Sequence, residues 1–249
     1  MPTHSLKNLL VKIPGCVFHS KGYYRIHNDL NGKNKTFIIE IIGPAGVGKS
    51  TFIDKVKKGG LISRYKVPKI NIDNALKNKT LGVDFHAKLF QLKVNNELPE
   101  GRGLHRFQDM LLWLFRDQYL QLPKNQGKIF LVDEGLGHHF TSELIDAHKS
   151  DPGLFNAAIN NRGFIALTAK PETIAKRIVG RKEKTKHILP YHDKKSPKQL
   201  EAYLNNRMKS ISRLISVARQ AGIPCLELNS EEPIKNHLNV TASFLKTLI

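Results

Sequence analysis

The sequence from Ile38 to Thr51, IIEIIGPAGVGKST, constrains the fold more than any other part of the chain. An apolar run typical of a buried strand leads directly into Gly43-x-x-x-x-Gly48-Lys49-Ser50. This is the spacing of a P-loop (Walker A motif), in which a glycine-rich turn joins a strand to the N-terminus of a helix. The pattern predicts a fold built around a parallel β-sheet, with a nucleoside triphosphate bound at the loop.

Each position of this motif has a chemical reason. Glycines allow the backbone N–H groups to approach phosphate oxygens, and Lys49 supplies a mobile positive charge. The Ser50 hydroxyl can ligate Mg²⁺, and the helix that follows directs its positive end at the same place. We therefore expect ATP and Mg²⁺ as cofactors, and we expect the nucleotide to contact Gly43, Pro44, Ala45, Gly46, Val47, Gly48, Lys49, Ser50 and Thr51.

A second candidate site lies at the end of a short apolar run, residues 129–132, which continues into Asp133-Glu134-Gly135. P-loop proteins place the carboxylate of the Mg²⁺ shell at the end of such a strand. Asp133 is therefore predicted to hold the metal together with Ser50, and Glu134 to orient or deprotonate an attacking hydroxyl or water. An ordinary acidic turn is the alternative interpretation.

The third candidate is the basic segment 170–186. Within it, Arg177 and Arg181 are one helical turn apart and should share a face. Guanidinium groups stabilise the charge on a transferring phosphoryl group, and a basic segment can close over a site. A solvated run of charges is the alternative. Weaker candidates for contact with an acceptor are Asp73, Arg106 and Arg116.

Strand and helix patterns alternate along the chain. Strands are predicted at 36–42, 65–72, 129–132, 164–168 and 223–228, and the clearest helices at 104–122, 171–181 and from Pro197 to Gly222. This alternation predicts an α/β, three-layer P-loop NTPase fold with a mainly parallel five-stranded sheet and helices on both faces. Residues 22–28 and 36–42 together predict a β-hairpin, so that residues 1–35 form an N-terminal extension with a strand and residues 36–249 a P-loop domain with a lid-like segment at about 169–195.

Composition narrows the possible partners. The chain has 40 Lys and Arg against 21 Asp and Glu, a formal net charge of +19. This excess favours anionic partners, among which nucleic acid remains open beside nucleotides and phosphorylated metabolites. Two cysteines, Cys16 and Cys225, give no disulfide framework, and no apolar run is long enough to span a membrane. A cytoplasmic location is the resulting expectation; the sequence does not indicate an oligomeric state.

The chain also resembles the nucleoside and nucleotide kinases, the group of P-loop proteins that includes thymidylate, adenylate and deoxynucleoside kinases. The likeness spans about residues 36–249 and lies in GPAGVGKST, LVDEG, FIALTAKPETIAKRIVGR and GIPCLELNS. By resemblance to the thymidylate-kinase-like proteins, the P-loop strand would be central in a five-stranded parallel sheet. Lys49 and Ser50 would handle ATP and Mg²⁺, and Arg177 and Arg181 would be lid arginines.

The chain departs from those kinases after the third strand, and it also lacks their usual acceptor motifs after the second strand. Thymidylate kinases carry Asp-Arg after the third strand and deoxynucleoside kinases carry Glu-Arg-Ser, whereas this chain reads Asp133-Glu134-Gly135, with no arginine. A phosphate clamp would have to come from elsewhere, with Arg106 and Arg116 as candidates, and the acceptor need not be a nucleoside.

The first functional hypothesis is an ATP-dependent phosphotransferase, a kinase acting on a small hydroxyl- or phosphate-bearing acceptor. The alternative is an NTPase or a polynucleotide kinase acting on nucleic acid, which the adjacent acids and the net charge favour. A GTP-binding switch is disfavoured because the chain shows no NKxD motif where one is expected.

Overall fold

A sheet of six strands organises the part of the chain that the computed structural model describes, namely residues 23–26, 35–65, 84–97, 104–185 and 195–248. The strand order across the sheet is β3-β1-β4-β2-β5-β6. The strands are β1 (Tyr23–Ile26), β2 (Phe37–Ile42), β3 (Ile62–Arg64), β4 (Ile129–Asp133), β5 (Arg162–Thr168) and β6 (Cys225–Asn229).

The P-loop strand β2 lies in the interior of the sheet. It pairs in parallel with β4 on one side and with β5 on the other, and β5 pairs in parallel with β6. β1 runs antiparallel to both of its neighbours, β3 and β4. Five strands therefore point the same way, and β1 alone is reversed. The carboxyl ends of β2, β4 and β5 meet at one rim, where ligands of parallel sheets bind.

The predicted hairpin between the N-terminal strand and β2 does not form. Both edges of β2 are already occupied by β4 and β5, so β1 pairs with β4 instead, with Tyr23 opposite Val132. In the described part of the chain the sheet thus has six strands, where five were predicted. A short strand, Ile62–Arg64, pairs with β1 just before the second predicted strand, 65–72, most of which lies outside the described residues. Residues 66–83, including Asp73, lie outside the described residues.

Helices connect the strands and cover both faces of the sheet. Those in the described residues are α1 (Lys49–Lys58), α2 (Asp84–Glu97), α3 (Leu104–Leu120), α4 (Leu136–His139), α5 (Thr141–Ser150), α6 (Pro152–Ile159), α7 (Pro171–Thr185), α8 (Pro197–Gln220) and α9 (Ile234–Lys246). None of them combines the length and the apolar character that a membrane-spanning segment requires. A short 3₁₀ helix, Pro123–Asn125, follows α3.

The predicted start of α8 is confirmed in atomic detail. Ser196 Oγ accepts a hydrogen bond from the Gln199 N–H, and the Gln199 side chain accepts one from the Ser196 N–H, which forms a capping box. Pro197 occupies the first helical position, where its missing N–H costs nothing. Gly222, with φ 76°, follows the end of the helix, as the sequence predicts.

Side-chain alternation along β2 divides the core between the two faces of the sheet. Ile39 and Ile41 face α1, α7 and α9, whereas Ile42 faces α2, α3, α5, α6 and α8. Glu40 therefore points toward the second of these faces, between strand residues that are fully buried. A charged residue in this position is the main departure of the sheet from an apolar interior.

Candidate functional site

The P-loop turns tightly between β2 and α1 and packs against α7. Gly46 has φ 86°, and a Cβ atom there would lie 2.7 Å from Ile178 Cγ1 of α7. Gly48 has φ 113° and forms the N-cap of α1. Both positions require glycine, the first for space and conformation and the second for conformation. The backbone N–H groups at the start of α1 therefore open onto the rim of the sheet.

Lys49 lies folded over this loop and is only 7% exposed. Its ammonium donates hydrogen bonds to the carbonyl oxygens of Gly43 at 2.9 Å and Pro44 at 3.2 Å. It also forms an ion pair of 2.9 Å with Glu134 Oε1. An ammonium group has three N–H donors, so these contacts engage all of them. The ion pair joins the P-loop to the end of β4, and the two regions that the sequence singled out meet at one point.

The two acids after β4 differ in their surroundings. Asp133 is the last residue of β4 and stands opposite Ile41 of the P-loop strand. Its Oδ1 atom is buried and has no hydrogen-bond partner in the described part of the chain. Glu134 has φ 60°, an uncommon backbone conformation for a residue other than glycine, and its N–H donates to the Ile41 carbonyl at 3.3 Å. Strain of this kind is concentrated at functional sites.

These surroundings move the two carboxyl pKa values in opposite directions. Burial, and secondarily the charge of Glu134, raise the pKa of Asp133 to about 6, against the effect of Lys49. Burial would also raise the pKa of Glu134, but Lys49 outweighs it and, with a smaller contribution from His138, lowers that pKa to about 2. Glu134 is therefore an ionised partner of Lys49, and Asp133 is a carboxylate in need of a cation.

The helix α7 is joined to the P-loop by Arg177. Its Nη1 donates to the Val47 carbonyl at 3.0 Å and to Ser230 Oγ at 3.0 Å, and its Nη2 donates to the Ser230 carbonyl at 3.3 Å. Glu231, in the same loop after β6, accepts from the Lys170 N–H at 3.0 Å, next to the start of α7. The arginine thus ties α7 to the loop by backbone contacts. Arg181 lies one turn further along α7 and is exposed.

Of the three weaker candidates, only Arg116 has a described side chain. It is buried, with its Cζ atom 5.4 Å from the ring centre of Trp113 and 5.8 Å from that of Tyr23. These cation–π contacts pack it between α3 and the reversed strand β1. Arg106 belongs to α3, but its side chain lies outside the described part, as does the whole of Asp73. Contact of any of the three with an acceptor stays a prediction.

Two histidines of α4 stand beside the acidic turn. His138 Nε2 is 3.9 Å from Glu134 Oε1, and the His139 ring lies 4.7 Å from that of Trp113. Burial lowers the pKa of His138 well below its usual range and that of His139 to about 4, although Glu134 acts in the opposite direction on both. Both imidazoles are therefore neutral at pH 7. The described residues contain no group of three His, Cys, Asp or Glu side chains spaced to hold a metal ion.

Sequence reasoning missed a buried charge network behind the site. Glu40, in the middle of β2, accepts hydrogen bonds from the Gly137 N–H at 2.6 Å and from Arg162 Nη1 at 2.9 Å. Arg162 is also bonded to Asp117 of α3, which in turn contacts His86 of α2 at 2.8 Å. The signal was present in the sequence: a single charged residue interrupts the apolar run FIIEII. Such a residue in a buried strand requires a partner.

The buried carboxylate of Glu40 also explains why residue 135 is a glycine. A Cβ atom at Gly135 would lie 2.7 Å from Glu40 Cδ. Any side chain at this position would therefore collide with the buried carboxylate. Gly137 is similarly restricted, because its Cβ atom would lie 2.5 Å from Phe164 Cε1. The packing of the turn against β2 and β5 therefore favours glycine at both positions.

The oxygen ligands expected for Mg²⁺ are compatible with these surroundings. Asp133 offers a buried carboxylate oxygen without a hydrogen-bond partner, and Ser50 is exposed at the start of α1. Carboxylate and hydroxyl oxygens are hard ligands of the kind that Mg²⁺ takes in nucleotide sites, usually with retained water and phosphate oxygens. The donor chemistry therefore fits the metal that the P-loop implies.

A protein-family model matches the part of the chain that forms this site. A protein-family model described as an AAA domain matches residues 39–200, from the P-loop strand to the start of α8. The chain belongs to this AAA domain family. The matched region contains the P-loop, Asp133 and Glu134, and α7, so the AAA domain includes every element that forms the rim. The predicted α/β P-loop NTPase fold is confirmed.

Solved structures resemble the chain at low sequence identity. A crystal structure of shikimate kinase from Bacteroides thetaiotaomicron, at 1.7 Å resolution, is similar with 14% sequence identity and a TM-score of 0.44. The match covers 84% of this chain and 98% of that chain. No curated protein matches the chain. The narrower likeness of this AAA domain to thymidylate-kinase-like proteins stays a prediction.

Proposed function

We propose that the protein is an ATP-dependent phosphotransferase that moves the γ-phosphoryl group of ATP to a small hydroxyl- or phosphate-bearing acceptor. The observation that carries this proposal is the 2.9 Å ion pair between Lys49 and Glu134. It brings a P-loop lysine, suited to phosphate oxygens, against a carboxylate suited to an acceptor hydroxyl. The nucleotide and the acceptor would meet between them.

In the proposed reaction, the P-loop N–H groups and Lys49 bind the triphosphate. Because the ammonium already engages three acceptors, phosphate binding requires it to exchange at least one of them for a phosphate oxygen. Release of Glu134 would leave its carboxylate available to the acceptor. The acceptor oxygen then forms a bond to the γ-phosphorus as the bond to the bridging oxygen of ADP breaks, and Glu134 orients the hydroxyl and takes its proton.

Two other groups would assist in this reaction. Ser50 and Asp133 would hold Mg²⁺, which neutralises charge on the phosphate oxygens when it is bound. Arg177 fixes α7 to the P-loop through Val47, which would keep the basic helix next to a bound triphosphate. Arg181 would contribute a second positive charge from the same helix. The acceptor-side residues Asp73, Arg106 and Arg116 remain candidates for contact with the acceptor.

An NTPase, or a polynucleotide kinase, is the second candidate. The supporting observation is the position of Glu134, whose carboxylate lies beside Lys49 and could orient water as readily as a hydroxyl. The net charge of +19 would suit a phosphate backbone. For a nucleic-acid partner, binding should weaken steeply as the salt concentration rises, whereas a small-molecule kinase should respond only modestly.

The test is a γ-labelled ATP assay with Mg²⁺, run alone and with pooled nucleosides, nucleotides, sugars and DNA or RNA ends. Transfer of the label to one small-molecule pool is the expected result, and Lys49→Ala should abolish it. Labelled inorganic phosphate that rises only with polynucleotide would contradict the kinase proposal in favour of an NTPase. Label on polynucleotide ends would identify a polynucleotide kinase.

A further inference from the structure

Glu40 occupies a position in which an ionised side chain is expensive. It lies in the middle of the P-loop strand and is fully buried on the face that packs against α2 and α3. Its Oε2 atom accepts a hydrogen bond of 2.6 Å from the Gly137 N–H, and its Oε1 atom accepts one of 2.9 Å from Arg162 Nη1. An apolar residue of similar size would often serve stability as well or better. The geometry that the carboxylate imposes is therefore the feature to explain.

Arg162 fixes the orientation of that carboxylate. Its Nε donates to the Ala158 carbonyl at 2.6 Å, and its Nη2 donates to Asp117 Oδ2 at 2.5 Å. The same Asp117 oxygen also contacts His86 Nε2 at 2.8 Å and accepts from Gln121 Nε2 at 2.7 Å. Three elements thus hold the guanidinium from different sides. Glu40 has no room to change its rotamer without breaking one of these bonds.

The other end of Glu40 holds the acidic turn. The Gly137 N–H bonds to Glu40, and the Glu134 N–H bonds to the carbonyl of Ile41, the next residue of the same strand. The turn is thus attached to β2 on both sides of Gly135, whose lack of a Cβ atom makes room for Glu40. Between these attachments the backbone of Glu134 takes the φ of 60° that accompanies its ion pair with Lys49.

We propose that Glu40 is a positioning residue for phosphoryl transfer, which acts through the Gly137 N–H to hold Glu134 at the P-loop lysine. Glu40 itself touches neither nucleotide nor acceptor in this proposal. The inference rests on the proposed function, because it gives Glu134 a role in the reaction. It assigns the buried network of Glu40, Arg162 and Asp117 to the geometry of the site rather than to stability alone.

The first experiment compares Glu40→Gln with Glu143→Gln. Glu143 is a matched control, because it is also buried and bonded to a cation, Lys93 at 3.2 Å, but its hydrogen-bond partners are Lys93, Asn96 and Ser142 rather than residues of the turn. The readout is γ-phosphate lost from ATP, whether to an acceptor or to water, with Kd for ATP and the melting temperature measured on the same samples. We expect Glu40→Gln to lower kcat at least tenfold with Kd for ATP within twofold, and Glu143→Gln to leave kcat within twofold.

A second variant separates the effect of the negative charge of Glu40 from the effect of its side-chain length. Glu40→Asp retains the negative charge beside Arg162 but shortens the side chain by one methylene, so that the carboxylate no longer reaches the Gly137 N–H. A positioning role predicts that its kcat also falls, even if Glu40→Gln proves too unstable to purify. Near-normal kcat for Glu40→Asp, with only its melting temperature lowered, would overturn the proposal in favour of a structural role.

The decisive readout is a double-mutant cycle with Glu134→Gln. If Glu40 acts through Glu134, adding Glu40→Gln to Glu134→Gln should change kcat by less than twofold. A further loss as large as the loss in the native background would overturn the proposal. The single variant Glu134→Gln separates the two failures: if it retains full activity, the role of Glu134 in the proposed function is wrong and the inference fails with it. If Glu134→Gln is inactive and Glu40→Gln is active, only the inference fails.

Discussion

The P-loop and the acidic turn after β4 are in contact, but they are built differently. The P-loop is specified by its own sequence: its glycines provide the backbone conformations, and Lys49 bonds back to the carbonyls of Gly43 and Pro44 within the same loop. The turn depends on residues far away in the chain. Its Gly137 N–H bonds to Glu40, 97 positions earlier, and Glu40 is held by Arg162, 122 positions later.

This difference has a consequence for mutation. A locally specified loop should lose function mainly when one of its own residues changes, whereas the turn should respond to changes in β2 and in the arginine that starts β5. The two regions are nevertheless joined at a single ion pair, Lys49 with Glu134. Variants in the loop, in the turn and at the ion pair can therefore separate the contribution of each to turnover and stability.

The largest effect is expected from the P-loop lysine. Lys49→Ala removes the mobile charge at the phosphates, and we expect a loss in kcat of about a thousandfold, on the order of 4 kcal/mol of transition-state stabilisation. The fold should survive, because Glu134 is 35% exposed and can be hydrated. Lys58→Ala, in the exposed last turn of α1, is the control and should be neutral. Steady-state turnover and melting temperature measure both; near-normal turnover of Lys49→Ala would contradict the assignment of the loop.

The contact between the turn and Glu40 of β2 should make the free energy of unfolding depend on pH. Burial raises the pKa of Glu40 from 4.5 to about 7, although Arg162 opposes the shift; Asp117 and Tyr23 are the other titratable groups that interact with it. Between pH 4.5 and about pH 7 the folded state binds more protons than the unfolded state. The contribution of Glu40 to the free energy of unfolding therefore falls as pH rises. The full difference is on the order of 3 kcal/mol.

The measurement is the free energy of unfolding of the native chain minus that of Glu40→Gln, followed from pH 4 to pH 8. We expect the difference to fall between about pH 4.5 and 7. The Lys49–Glu134 contact has the opposite sign, because the pKa of Glu134 is lowered to about 2 and its contribution is gained as pH rises from about 2 to 4.5. A difference that rises with pH in the upper range would refute the assignment to Glu40.

A smaller effect is expected at the turn glycine. Gly135→Ala places a Cβ atom 2.7 Å from Glu40 Cδ, and such overpacking typically costs about 1–3 kcal/mol. Because the turn carries Glu134, turnover should fall as well. Gly180→Ala in α7 is the control: a Cβ atom there meets nothing within 4 Å, and alanine should stabilise the helix slightly. Chemical denaturation of both variants measures the difference, and equal stabilities would show that the turn accommodates a side chain.

The smallest effect is expected where α7 meets the loop. Arg177→Ala removes the bonds to Val47 and Ser230, and we expect the looser contact between α7 and the loop to raise the Kd for ATP about tenfold, roughly 1.4 kcal/mol. Lys176→Ala, exposed on the same helix, is the control. Equilibrium titration with a fluorescent ATP analogue measures both. If Arg177→Ala and Arg181→Ala both bind and turn over ATP normally, the lid role of α7 is wrong.

The sequence predicted those parts that depend on neighbouring residues. The P-loop spacing identified the strand, the turn and the helix together, and Pro197 and Gly222 identified the two ends of α8. The α/β class followed from the alternation of strand and helix patterns. Asp133 and Glu134 were located by the apolar run that precedes them. In each case a short window of sequence contains the whole physical cause.

The parts that were missed depend on which strands become neighbours. A hairpin between 22–28 and 36–42 was reasonable from local turn signals, but the interior position of β2 leaves no edge for β1. The Glu40–Arg162 pair joins β2 to β5. The two charges are buried, and bonded to each other, only when those strands are adjacent. The reason for glycine at position 135, the carboxylate of Glu40, likewise lies on another strand.

The central claim is that the P-loop and the acidic turn form one site for the γ-phosphate, and a double-mutant cycle on Lys49 and Glu134 tests it most directly. Loss of γ-phosphate from ATP with Mg²⁺ would be measured for the native chain, Lys49→Ala, Glu134→Gln and the double variant. We predict a large loss in each single variant and little further loss in the double variant, because residues of one catalytic unit are not additive. Losses that multiply, or a Glu134→Gln variant with native turnover, would contradict the claim.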